Sequence, residues 1–208
     1  MVTQPLIIPA TRKQLVLAST SRYRLALLAS LGVEVETCAP DFDERGFDGR
    51  GMQPSELALA LARGKAESVA EQLSGSWILA GDQLLDLDGR ILGKPGTAER
   101  AVQQLMELSG RKHRLVTALV LMDSDTGQRA ERVLVHYMLM RSLERRQLVD
   151  YVERDQPLDC AGSYKVEGLG AALFESMGGQ DHTAIVGLPV TALTALLTEA
   201  HSWSVTKA

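Results

Sequence analysis

Leu15-Val16-Leu17-Ala18-Ser19-Thr20-Ser21-Arg22-Tyr23-Arg24-Leu25-Ala26-Leu27-Leu28 reads as a short apolar strand that runs through three hydroxyl residues into a helix opened by Arg, Tyr and Arg. A strand feeding a helix is the unit from which α/β proteins are assembled. The first N–H groups of a helix lack intrahelical partners and lie at the positive end of its dipole, so an anion is stabilised there. Two readings of this segment stand side by side. In one, Ser19, Thr20 and Ser21 donate to a bound phosphate while Arg22 and Arg24 supply charge. In the other, Ser21 caps the helix and the arginines are solvated first-turn residues.

Outward from this segment the α/β pattern continues. Strands are predicted at 15–18, 33–38, 77–80, 114–122 and 131–140, and helices at 21–31, 54–73, 97–108, 143–153 and 188–200. Asp88-Gly89 and Asp123-Ser124-Asp125-Thr126-Gly127 are hairpin signals, so parallel and antiparallel pairs are both expected in the sheet. The polar, glycine-bearing stretch Asp41 to Gly51 reads as a mobile loop. A single two-lobed domain over 14–200 is expected, with an N-terminal extension at 1–13 and a frayed tail at 201–208.

Composition narrows the classes. The chain has 208 residues, 45% of them hydrophobic, which suffices for a sizeable core. A net charge of -4 argues against a nucleic-acid polymer as partner, since such partners demand a basic face, but it leaves room for a local basic pocket and a small polyanion. Cys38 and Cys160 stand far apart without ligand-like neighbours, which fits a reducing cytoplasm and neither a disulfide framework nor a zinc site. Neither a signal peptide nor a membrane-spanning run is expected.

Several residues could carry chemistry. Asp82, in Gly81-Asp82-Gln83, follows the apolar run Trp77 to Ala80, and a carboxylate at the carboxyl end of a strand binds a metal or activates water; a turn-forming Asp is the plain alternative. Lys94 sits on a turn held between Gly93 and Pro95, suited to phosphate contact or simply exposed. Lys65 shares an inward helix face with Leu61 and Val69, so it either snorkels to solvent or projects into an anion-filled cleft. Asp41, Asp43 and Glu44 could bind a hard divalent cation or form a solvated acidic loop. Glu167, followed by Gly168, reads as a polar reader in a stretch of small residues, and His182 as a loop histidine.

Leu17-Ala18-Ser19-Thr20-Ser21, Asp43-Glu44, Lys65-Ala66, Gly81-Asp82-Gln83, Gly93-Lys94-Pro95, Cys160-Ala161-Gly162-Ser163 and Val186-Gly187-Leu188-Pro189 occur in an order that resembles the Maf family of nucleotide pyrophosphatases. The resemblance runs from about Leu15 to Leu197. It implies an α/β fold of the Maf and inosine-triphosphate-pyrophosphatase type, an elongated mixed sheet with flanking helices and two lobes around a deep cleft. It also implies a divalent cation (Mg2+, Mn2+ or Co2+), a possible homodimer, and hydrolysis of a nucleoside triphosphate to monophosphate and diphosphate. On the matching positions the catalytic acid falls on Asp82, phosphate contacts on Ser19, Arg24, Lys65 and Lys94, and the metal on Glu44 with Asp82. Arg22 stands where the family usually has Pro, and Leu25 where it often has a second basic residue.

The family's specificity positions carry Arg, Thr and Gln in a branch that resembles dTTP and UTP pyrophosphatases, and an aromatic residue, Gln and Glu in a branch that resembles 7-methyl-GTP pyrophosphatases. Here they are Tyr23, Gln83 and Glu167. The physics agrees with the second branch: 7-methylguanine carries a positive ring that stacks on an aromatic face, and a carboxylate accepts from both the ring N–H and the amino group. Two other readings are a dTTP/UTP pyrophosphatase and a non-enzymatic regulator of septum formation.

Overall fold

The computed structural model describes residues 13–203. Its elements are β1 (Gln14–Ala18), α1 (Arg22–Ser30), β2 (Glu36–Cys38), α2 (Pro54–Ala70), β3 (Ser76–Leu87), β4 (Arg90–Leu92), α3 (Ala98–Leu108), β5 (Lys112–Asp123), β6 (Arg129–Met140), α4 (Arg145–Asp155), β7 (Phe174–Gly178) and α5 (Val190–Trp203), with 3-10 turns at Ala161–Ser163, Leu169–Leu173 and His182–Val186. The strands form one seven-stranded mixed sheet in the order β2-β1-β3-β5-β6-β7, and β4 pairs with β3. β1 runs parallel to β2 and β3, and the remaining pairs are antiparallel.

Alternation along β3 organises the core. Ile78 and Ala80 pack with Ala58, Ala62 and Val69 of α2, while Trp77 and Leu79 pack on the opposite face with Leu28 of α1 and Leu193 and Leu196 of α5, as a period of two requires. Farther along, Leu85 and Leu87 join Leu105 of α3 and Leu148 and Tyr151 of α4. The sheet therefore carries α2 against α1 and α5 in one lobe, and α3 with α4 in the other. Each fully buried leucine in these clusters contributes about 1.5–3 kcal/mol of transfer free energy.

The register of β3 opens the space between the lobes. On one edge β5 pairs with it from Trp77 to Asp86. On the other edge β1 reaches only to Leu79, and β4 begins only at Leu85. Among the described residues no strand pairs with that edge from Ala80 to Leu84. Asp82 thus lies in the interior of a continuous twelve-residue strand, not beyond the end of a shorter one. The interruption suggested by Gly81-Asp82-Gln83 is real on only one side of the strand, because β5 holds the other side throughout.

Other differences are local. β2 spans Glu36–Cys38, so its predicted first half is irregular, and β7 was not anticipated, since Phe174-Glu175-Ser176-Met177-Gly178 lacks apolar alternation. The loop expected to be mobile is tied down. Phe42 lies against Gly64 of α2, where a Cβ would fall 2.3 Å from the Phe42 ring, and Asp43 accepts from the backbone N–H groups of Arg45 and Gly46. α5 continues to Trp203, three residues into the expected tail. The rest of that tail, and the expected extension up to residue 12, lie outside the described residues. Among the described residues no helix is long and apolar enough to cross a membrane.

Candidate active site

The unpaired edge of β3 forms one wall of a cavity of about 1150 Å³. Ser19, Arg24, Glu44, Lys65, Asp82 and Lys94 line it, and so do Tyr23, Gln83 and Glu167, so the structure brings together the residues that the family resemblance assigned to the site, while Asp41 does not line it.

Asp82 and Lys65 meet because two periodicities converge. Asp82 has the parity of Ile78 and Ala80, which points it at α2, and Lys65 lies on the α2 face that also buries Leu61 and Val69. The two side chains are 5% and 7% exposed as residues, and the Lys65 ammonium donates to Asp82 Oδ1 at 2.6 Å. Glu44 reaches in from the loop and pairs with the same ammonium at 3.0 Å. Lys65 therefore does not snorkel to solvent. Arg63, two residues earlier and on another face of α2, is the ordinary surface cation and pairs with Glu131.

Arg24 enters from the opposite face of the sheet. It is 8% exposed, its Nε donates to the Gly187 carbonyl at 2.8 Å and its Nη1 to Ser19 Oγ at 3.2 Å. Gly187 has φ +100°, a backbone conformation that side-chain-bearing residues rarely adopt, and this turn aims its carbonyl at the guanidinium. Burial pulls the Arg24 pKa down, and the Asp82 and Glu44 carboxylates oppose that shift. Ser19 Oγ accepts from Arg24 and from the Ser21 N–H, so its own proton remains free to donate. Ser21 does cap α1, accepting from the Arg24 N–H at 3.4 Å. The capping reading holds for Ser21, while Arg24 is not a solvated first-turn residue but is buried in the cavity wall.

Lys94 is exposed on the cavity rim and pairs with none of the described residues. Its turn is held from both sides, Gln104 donating to the Gly93 carbonyl and the Gly96 N–H to the Leu158 carbonyl. The acidic cluster expected on the loop is divided. Glu44 faces Lys65, whereas Asp43 closes its own turn.

Gln83 points the other way from Asp82. Its amide nitrogen donates to Thr117 Oγ1 and to the Ala184 and Ile185 carbonyls, which leaves Oε1 as its group toward the cavity. Glu167 is exposed on the segment after Cys160. That segment is anchored by Tyr164, whose hydroxyl lies 3.0 Å from His113 Nε2, and by the Lys165 N–H donating to the Tyr151 hydroxyl. Burial lowers the His113 pKa to about 4 and raises that of Tyr164. The Cys160 thiol is pushed up to about 11 by burial, so it is protonated at neutral pH and no nucleophile. The sequence reading missed Asp159 and Thr117. Asp159 adjoins the Cys160-Ala161-Gly162-Ser163 motif, which was a usable signal, while Thr117 was hidden inside an apolar strand.

A family model described as Maf-like protein matches residues 14–200. The chain belongs to the Maf family. Among curated Maf relatives, the 7-methyl-GTP pyrophosphatase of Pseudomonas putida is 44% identical over 185 residues, covering 89% of this chain and 95% of the relative. That of Xanthomonas oryzae pv. oryzae is also 44% identical, over 187 residues, with 90% and 96% covered. The 7-methyl-GTP pyrophosphatase of Burkholderia lata is 43% identical over 187 residues, with 88% of each chain covered. The ordered motifs and the mixed sheet therefore belong to one Maf domain with a cleft between its lobes.

Proposed function

We propose that this chain hydrolyses 7-methyl-GTP to 7-methyl-GMP and diphosphate. The observation that carries the reading is one cavity lined by Asp82, Lys65 and Arg24 and also by Tyr23 and Glu167. The names of the relatives, 7-methyl-GTP pyrophosphatases, support the same substrate.

In this reading Asp82 accepts the proton of the attacking water, and Arg24, Lys65 and Lys94 offset the triphosphate charge. Ser19 donates its free hydroxyl proton to a phosphate oxygen. Glu44 and Asp82 would hold a divalent cation such as Mg2+, Mn2+ or Co2+. The donor set fits: Asp82 Oδ2 is buried without a partner among the described residues, and a hard cation that keeps its waters needs only one or two carboxylates beside the substrate phosphates. When bound, such a cation polarises the phosphate oxygens and offsets their charge. Tyr23 offers a stacking face for the methylated base, Glu167 accepts from its N–H groups, and Gln83 contributes only Oε1. A small nucleotide as ligand, no polynucleotide or membrane partner, a cytoplasmic setting and a homodimer complete the proposal. Two free cysteines support the reducing compartment.

The test is diphosphate release from 7-methyl-GTP by the wild type and by Asp82→Asn, with circular dichroism to verify that both are folded. Release by the wild type alone is the expected result. Equal release by both removes Asp82 from the base role, and release by neither favours the non-enzymatic reading.

A further inference from the structure

The stacking face of Tyr23 already carries a planar cation, and the chain supplies it. The Arg22 guanidinium carbon lies 4.9 Å from the Tyr23 ring centroid, and Arg22 Nη2 donates to the Tyr23 hydroxyl at 2.8 Å. That hydroxyl donates in turn to Asp159 Oδ1 at 3.2 Å, and Arg22 pairs with Asp159 Oδ2 at 3.5 Å. Aromatic ring, carboxylate and cation thus close a small circuit on the cavity wall, and Arg22 does not reach toward Asp82. The Arg22 and Asp159 side chains are 68% and 51% exposed, so their pairing is loose and solvent-screened.

A guanidinium and the imidazolium ring of 7-methylguanine are alike in the respects this seat detects: both are flat, delocalised and positively charged. Resting on the 7-methyl-GTP reading above, we infer that Arg22 is an internal occupant of the base seat, displaced when a cationic base stacks on Tyr23, and that Asp159 is a specificity residue whose carboxylate then faces the positive ring. Arg22 and a cationic base repel each other on one ring, whereas a neutral guanine is not repelled. Asp159 does the opposite, favouring the charged base over the neutral one. The two residues therefore push selectivity in opposite directions, and the weak exposed contacts of Arg22 keep its departure easy.

The experiment measures kcat/KM for 7-methyl-GTP and for GTP in the wild type, Arg22→Ala and Asp159→Asn, and takes the ratio in each. Arg22→Ala raises the ratio by about threefold. Asp159→Asn lowers it by about threefold to fivefold. A ratio unmoved by both substitutions overturns the seat while leaving the substrate reading intact. A loss of kcat/KM on both substrates alike in Arg22→Ala, with the ratio unchanged, makes Arg22 a phosphate contact and also overturns it. A wild type that does not prefer 7-methyl-GTP over GTP removes the substrate reading and the seat together.

Discussion

Two sets of charged residues line the cavity, one around Asp82 and one that includes Arg22, Asp159 and Glu167, and they are built in different ways. Around Asp82 three charged groups are buried and bonded to one another or to the backbone, and they come from three core elements: Lys65 from α2, Arg24 from α1 and Asp82 from β3, while the exposed Glu44 joins Lys65 from the loop. Around Tyr23 the charged groups lie at the surface. Arg22 and Asp159 expose more than half of their side chains, and Glu167 pairs with none of the described residues. The difference separates two tasks. Charge handling common to any triphosphate depends on helix and strand geometry that the core fixes, whereas the base meets loop side chains that are replaceable without disturbing packing.

Substitutions in the two sets should differ in kind as well as in size. Asp82→Asn is expected to lower kcat by roughly 10²–10⁴-fold, and by the same factor for 7-methyl-GTP, GTP and UTP, because it removes a base and not a reader. Steady-state diphosphate release on the three substrates checks this; a loss confined to one of them would merge the two tasks. Arg24→Gln should cost about 10²–10³-fold, again without changing substrate order, and the same assay reads it.

The segment that carries Glu167 should show itself in stability too, because it hangs on Tyr164 and His113. The fold lowers the His113 pKa to about 4 and so favours the neutral ring. Protonation therefore costs stability as pH falls from about 6.5, and the full penalty, on the order of 3 kcal/mol, is reached below about 4. Urea unfolding across that range should show the decline, and His113→Gln should flatten it. An unchanged slope in the variant would detach His113 from the loop's anchoring.

A smaller effect is expected from Glu167→Gln. Losing a charge-assisted acceptor should reduce the kcat/KM ratio of 7-methyl-GTP to UTP by roughly tenfold. An unchanged ratio would remove Glu167 from base reading.

The same division explains what the sequence could reveal. Lys65 was visible because a cation on an apolar helix face needs a partner, and Arg24 because positive charge at a helix start needs one. The hairpin at Asp88-Gly89 and the helix cap at Ser21 were legible from local turn and cap chemistry. The continuity of β3 was not, since it depends on pairing with β5 some forty residues later in the chain, roughly, and local sequence records no such partner. Asp159 escaped for a similar reason: its place beside Tyr23 is a long-range contact made by an exposed side chain. Arg22 and Arg24 looked alike in sequence, yet the helix turns one into the cavity wall and the other onto the Tyr23 ring.

The most direct measurement of the central claim is a panel of kcat/KM values for 7-methyl-GTP, GTP, dTTP and UTP, with Mg2+, Mn2+ or Co2+ present and products identified. The account predicts the highest value for 7-methyl-GTP, yielding 7-methyl-GMP and diphosphate. Faster cleavage of dTTP or UTP, or release of inorganic phosphate in place of diphosphate, would contradict it.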